Sequence, residues 1–333
     1  MHAGKSYRLG EFLAWTKRDI LGLVILAVVP TALYVFAGWH WLAIPWVPIT
    51  MLGTAAAFIA GFRNNATYNR LWEARQIWGS IVNSSRTWGI MARDFISTDN
   101  PLTDREIHHQ MIYRHIAWLT ALRFQLREKK TWENHDIGAF KDYRRNYRVE
   151  EEETEMADVL LNFVSKVERD FIMARKNKAA QIISMQSAQL RALSDAGSVS
   201  EFRYTQLESV LKELYDHQGR CERIKNFPYP RQFSTISRFF IRLFVFMLPL
   251  GMLNEFSKHG EKMIWMAVPF SIIVSWVFTT LERVGQATEN PFEGGANDVP
   301  ITSMSRTIEI DLREMLGETE LPPPIQPVNS ILM

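Results

Sequence analysis

The densest group of metal-ligating side chains is His108, His109 and His115, with Asp104 and Glu106 beside them. On a helix His108 and His115 can share a face, and imidazole with carboxylate is a zinc-type donor set. The spacing matches no standard metal site, so the expectation is surface histidines, no metal and no cofactor. A second group is acidic: Glu150–Glu153 with Glu155, just after Arg144, Arg145 and Arg148. Acids are favoured at a helix N-terminus by the dipole, so the run reads as a solvated helix start. A cation-attracting vestibule is the alternative. Cys221 is the single cysteine, which excludes an intrachain disulfide or a cysteine-based metal cluster. There is no Walker A, HExxH, GxSxG or Rossmann glycine fingerprint. The chain reads as a non-enzyme.

The most informative chemistry is apolar. Thr54, Phe58 and Phe62 recur every fourth residue and share one helix face. Around them Ala55, Ala56, Ala57, Ala60 and Gly61 are small, and small residues let membrane helices pack closely. Phe rings stacked in a ring of such helices make an apolar constriction that gates by dewetting. The competing reading turns Phe58 and Phe62 toward lipid or core. Directly after them come Arg63, Asn64, Asn65, Thr67, Tyr68, Asn69 and Arg70, polar and without a helix breaker. A helix that runs on through them would line a polar passage below the constriction with Asn65, Asn69, Arg70 and Glu73. Tyr68, Arg70 and Trp72 also suit simple interface anchors.

These residues need a membrane helix to position them. Mean hydropathy is −0.12 and 22% of residues are charged, averages that hide the pattern. The apolar residues concentrate in two blocks, 20–62 and 239–281. A span needs roughly 20 mostly apolar residues. Ile20–Phe36 and Ile44–Phe62 are both free of charge, joined by a Trp-rich link with Trp39 and Trp41. In the second block Met263–Leu281 is charge-free, whereas the helix over 236–255 carries Arg238 and Arg242 near its start. Those arginines are placed to snorkel. A pair of buried helices in a soluble core is the alternative for this block.

Lys17, Arg18, Arg63, Arg70, Arg231, Arg238, Arg242 and Arg283 flank one side of the spans, against Lys258 and Lys262 on the other. The positive-inside rule then puts both termini in the cytoplasm of a multi-pass inner (plasma) membrane protein. The middle reads as helical, over 71–95, 107–126, 156–175 and 204–224, with breaks at 99–104 and 195–200. A last helix over 302–316 precedes a Pro-rich extended tail. The division is 1–18 N-terminal segment, 19–62 first hairpin, 63–235 helical cytoplasmic domain, 236–283 second hairpin, and 284–333 C-terminal helix and tail. A net charge of +2 gives no argument for nucleic acid.

Four motifs in this order resemble the prokaryotic branch of the bestrophins. They are GFRNNATYNRLWEARQIWGSIVNSSR at 61–86, GRCERIKNFPYP beginning at Gly219, Asn290-Pro291-Phe292, and RTIEIDLREML at 306–316. The resemblance covers nearly the whole chain. It implies an all-α homopentamer with one central pore, embedded in a lipid bilayer and passing small monovalent ions. Those ions are anions such as chloride in animal members, or cations such as sodium in the prokaryotic branch. It places the neck at Thr54, Phe58 and Phe62, where the hydroxyl of Thr54 departs from the branched aliphatic of animal members. Arg70 and Trp72 fall on an Arg and an aromatic below the neck. Ile182, or Ile183, is the candidate for a cytoplasmic aperture. The animal calcium clasp is an acidic run after Asn-Pro-Phe. Here Glu293 and Asp298 are the only acids in that stretch, too few oxygens for calcium, and no clasp is expected. The rival function is a non-conducting scaffold or accessory subunit. Selectivity is open: helix N-termini near Pro45 and Pro48 favour an anion, and Glu73 with Glu150–Glu153 a cation.

Overall fold

The computed structural model describes residues 1–7, 9–136 and 138–333. Among them the regular structure is helical: α1 Leu9–Phe36, α2 Trp46–Phe95, α3 Pro101–Arg127, α4 Gly138–Arg144, α5 Glu150–Glu153, α6 Met156–Leu160, α7 Lys166–Met173, α8 Lys178–Asp195, α9 Glu201–Asn226, α10 Arg231–Ser257, α11 Ala267–Ala287 and α12 Ile301–Met315. The four candidate spans are Gly10–Phe36, the start of His40–Phe95, Arg231–Ser257 and Glu261–Ala287, by length and apolar content. Joined in sequence as α1–α2 and α10–α11, they pack as α2 on α10, α10 on α11 and α11 on α1, which closes the bundle.

The second helix is the spine. It runs 50 residues without interruption, about 75 Å at 1.5 Å per residue. No proline follows Pro48 in its first turn, and the polar run after Phe62 contains no breaker. The boundary expected at residue 62 therefore lies inside one continuous helix. Its buried face meets α10 and α11 at membrane level and α9, α12 and α3 beyond it. The membrane core is Leu23, Ile49, Ala56, Ala60, Ile241, Phe244, Val245 and Leu248. The larger second core is built around Trp78, Trp88 and Trp118 with Ile, Leu and Met from α3, α8, α9 and α12.

Local signals set the shorter helices. Asn100 caps α3, accepting from the Leu102 amide at 3.0 Å, with Pro101 in the first turn. Asn177 caps α8 through the Ala180 amide at 3.0 Å. The single helix expected over 156–175 is instead α6 and α7, separated by a turn. Ser165 breaks it: its hydroxyl accepts from the Glu168 amide while Glu168 reaches back to the Ser165 amide. This capping box makes a helix start more favourable there than continuation.

The acidic run also departs from expectation. It forms the one-turn α5, yet Glu151 has no side-chain exposure and faces Arg123 and Arg127 of α3. Burial pushes the Glu151 carboxyl up, but the two guanidinium groups outweigh it and hold the carboxyl below its usual range. Glu152, Glu153 and Glu155 stay exposed as a solvated helix start requires, while the buried pairs of Glu151 fix the turn.

Close approach of α2 and α10 depends on Gly53, where an added Cβ would stand 2.6 Å from the Phe244 ring. Gly53→Val should cost about 1–3 kcal/mol through overpacking. Gly219→Ala, where nothing lies within 4 Å, should not. Melting of the detergent-purified variants checks both.

Candidate pore-lining site

The exposed side of α2 is one continuous stripe. Thr54, Phe58, Phe62, Asn65 and Asn69 all lie on it, and Tyr68 and Trp72 continue it. Phe58 and Phe62 are 67% and 61% exposed. Their rings meet edge to face with centroids 4.4 Å apart. Thr54 gives its hydroxyl hydrogen to the Thr50 carbonyl at 2.9 Å. That leaves a methyl group and an acceptor outward, so this level is drier than a free hydroxyl would make it. Tyr68 and Trp72 stack lower down, with centroids 6.3 Å apart.

The small residues divide between two faces. Ala56 and Ala60 are buried against the bundle, whereas Ala55, Ala57 and Gly61 are exposed beside the two Phe rings. The outer faces of the other spans differ. α1 shows Leu21, Ile25 and Val29, and α11 shows Phe270, Ile273, Val277 and Leu281. Those are bulky lipid-type surfaces. Among the described residues α10 also exposes aromatics, Phe239 and Phe246, and the second span is set apart by the exposed Ala and Gly beside its rings.

Two expected lining residues turn sideways. Arg70 is half-buried and donates to the Ile224 and Phe227 carbonyls at the end of α9, the latter at 2.6 Å. Glu73 pairs with Arg223 of the same helix. Arg70 is spent on docking α9, where free carbonyls at a helix C-terminus favour a cation, whereas the Glu73–Arg223 pair stays exposed. Ile182 has no exposure and Ile183 has 8%, because both point from α8 into the larger second core. A side chain buried within its own chain cannot line a lumen, so Ile182 is not an aperture residue.

The histidines also separate. His115 is fully buried, with Nε2 2.9 Å from Ser85 Oγ. His108 Nε2 lies 2.8 Å from the Ile96 carbonyl. Burial lowers the His115 pKa to about 3. The surface reading fails for His115, which is a neutral core residue on α3.

The sequence reading missed the group that anchors the stripe. Arg63, next to Phe62, is 2% exposed and lies on the opposite face. Its guanidinium donates to Glu282 at 3.0 Å and Glu289 at 3.1 Å. Arg238 shares Glu282 at 3.4 Å and Arg231 shares Glu289 at 3.1 Å. Arg238 is thus held by an ion pair and does not simply snorkel. Asn64 donates to the Leu281 carbonyl at 3.0 Å, closing the same seam. The signal was present: two acids right after the fourth span, against arginines beside the second and third.

This arrangement defines an α-helical membrane protein whose second span is a long helix with an open aromatic stripe. The chain belongs to the bestrophin family: the family model described as Bacterial/Fungal Bestrophin protein matches residues 11–314. It is 27% identical over 280 residues to the voltage-dependent anion channel-forming protein YneE of Escherichia coli K12, covering 84% of this chain and 80% of that one. It is 26% identical to the similarly named RSc3414 of Ralstonia nicotianae, covering 85% and 82%. The fold is that of a bacterial bestrophin homolog from Klebsiella pneumoniae, with TM-score 0.76 at 23% identity over 91% of this chain and 99% of that one. The protein is a member of a channel family and not an enzyme.

Arg63→Met would leave Glu282 and Glu289 partly unpaired and should destabilise by about 3–5 kcal/mol, as removal of one buried partner does. Adding Glu289→Gln should restore part of the melting temperature. For His115 the folded pKa lies below the ordinary 6.5. Its contribution is therefore complete above pH 6.5 and is lost as pH falls toward 3. At pH 5 the loss should be about 2 kcal/mol per subunit. Melting curves from pH 7 to 5 should show that slope, and His115→Gln should flatten it.

Proposed function

We propose that the protein is a homopentameric channel of the plasma membrane for small monovalent ions, with both termini cytoplasmic. α2 from each subunit lines its pore. The carrying observation is the open face of α2, where Phe58 and Phe62 alternate with Ala55, Ala57 and Gly61. Bulky residues alone would suit lipid. Small residues beside aromatic ones suit neighbouring α2 copies packed closely around two Phe layers. Thr54 forms the upper rim, and Asn65 and Asn69 line the passage below. The likeness to the voltage-dependent anion channel-forming proteins YneE and RSc3414 supports anions as the permeant species. Monovalent cations are the second reading, because Asn65 and Asn69 are neutral amides and Arg70 is committed to α9 carbonyls.

Flux from liposomes holding the purified protein tests this reading. Phe58→Ala and Phe62→Ala should raise flux several-fold over the unaltered protein. Unchanged flux in both would place the rings in lipid, and no flux from any verified pentamer would leave a scaffold. Reversal potentials in a salt gradient should show anion selectivity; the opposite sign selects the second ionic reading.

A further inference from the structure

An apolar cavity of about 180 Å³ lies between the start of α1, α4, the end of α11 and the loop after it. Its wall carries six aromatic rings: Tyr7, Phe12, Trp15, Phe140, Tyr143 and Tyr147. On the same measure one water needs roughly 10–15 Å³, so the space exceeds a packing defect. Two of the polar tips are already satisfied by the chain itself. The Tyr7 hydroxyl donates to Asn297 Oδ1 at 3.1 Å, and the Tyr147 hydroxyl donates to the Gly294 carbonyl at 2.9 Å. Ring faces and aliphatic carbons remain for a ligand, which need supply no hydrogen bond inside.

The position is at the edge of the bilayer. Phe12 and Trp15 precede the apolar run of α1, and Val284 and Ala287 end α11. Trp276, in the middle of α11, donates to Thr16 Oγ1 at 3.1 Å and fastens the start of α1 to that helix. The rim is charged. One depression with charged residues in its wall shares Trp15 and Tyr143 with the cavity, and another shares Phe140 and Tyr147. The first balances Lys17 and Arg18 against Glu11 and Asp142; the second holds the excess, Lys129, Lys141, Arg144 and Arg145 against Glu152 and Glu153, with Arg18 paired to Asp142 and with Lys129 and Arg144 sharing Glu152. Guanidinium groups also cap the wall from outside. Arg144 lies 4.8 Å from the Tyr147 ring centroid and Arg283 lies 5.8 Å from that of Trp15.

We infer that this cavity binds the acyl chain of an anionic amphiphile, with its head on the basic rim. A dry interior beside a net-positive rim matches a hydrocarbon tail with a negative head. Basic pockets between helices on the cytoplasmic side of a membrane recognise such heads. A cationic ligand fits less well, because arginines already occupy the outer faces of two rings.

Native mass spectrometry of delipidated protein tests this, with oleate, phosphatidylglycerol and phosphatidylcholine as probes. One adduct per subunit is expected with oleate or phosphatidylglycerol, and several-fold less with phosphatidylcholine. An oleate adduct formed without phospholipid identifies a free fatty acid, and one formed by phosphatidylglycerol alone identifies a bilayer lipid. Both outcomes support the site. Ala287→Trp should fill the cavity and lose the adduct at an unchanged melting temperature, and Val284→Trp serves if that variant does not fold. No adduct from either anionic probe would overturn the inference. Equal retention of phosphatidylcholine, or equal retention by the filled variants, would do so too. The readout is binding, so it is independent of ion conduction.

Discussion

The buried guanidinium of Arg63, held between Glu282 and Glu289, is the constraint on which the rest depends. It sits one residue past Phe62 and faces inward. A buried charge is tolerated only when paired and hydrogen-bonded, so this one must find the end of the fourth span. Once it does, the rotation of α2 is fixed. The inward arginine dictates that Phe58, Phe62, Asn65 and Asn69 turn outward. Arg231 and Arg238 bring the third span to the same two acids. One ionic seam thus registers three spans against one another at the level where the helix leaves the membrane.

The seam also joins two cores of different character. Above it the packing is helix on helix with Gly53 and Gly251 at close contacts, as expected where small residues set the approach. Below it the helices outside the spans bury tryptophans and a second set of ion pairs, Arg123 and Arg127 with Glu151 and Asp298. The loop after the fourth span ties both together. Glu293 accepts from the Asn134 amide at 3.0 Å, and Asp298 accepts from Gly294 and Gly295 amides. Burial raises both acids above the usual carboxylate range. They are committed to closing this loop.

Much of this was legible in the sequence, for physical reasons. Charge-free runs such as Met263–Leu281 have few soluble explanations, so the spans were visible, whereas the packing of α1 on α11 and of α2 on α10 was not. The threefold recurrence of Thr54, Phe58 and Phe62 fixed their common face, because helical spacing is rigid. What failed depends on partners far away in the chain. Ile182 looked available for a lumen until α3 and α8 packed it inward. Arg70 and Glu73 carried the right charge beside the passage, but α9 offered carbonyls and Arg223 at closer range. His115 had no sequence feature to distinguish a core imidazole from a surface one. Arg63 looked like a topology signal, and its inward turn follows only from Glu282 and Glu289, over 200 residues on.

The central claim is that the open stripe of α2 faces a water-filled pore. Cysteine accessibility tests it directly, since Cys221 is buried and should stay silent. In reconstituted protein, a water-soluble methanethiosulfonate reagent should change ion flux through Thr54→Cys, Phe58→Cys and Phe62→Cys variants. Ile273→Cys, on the lipid-type face of α11, should not respond. Modification without effect at all three α2 positions, or an equal response at Ile273→Cys, would contradict the account.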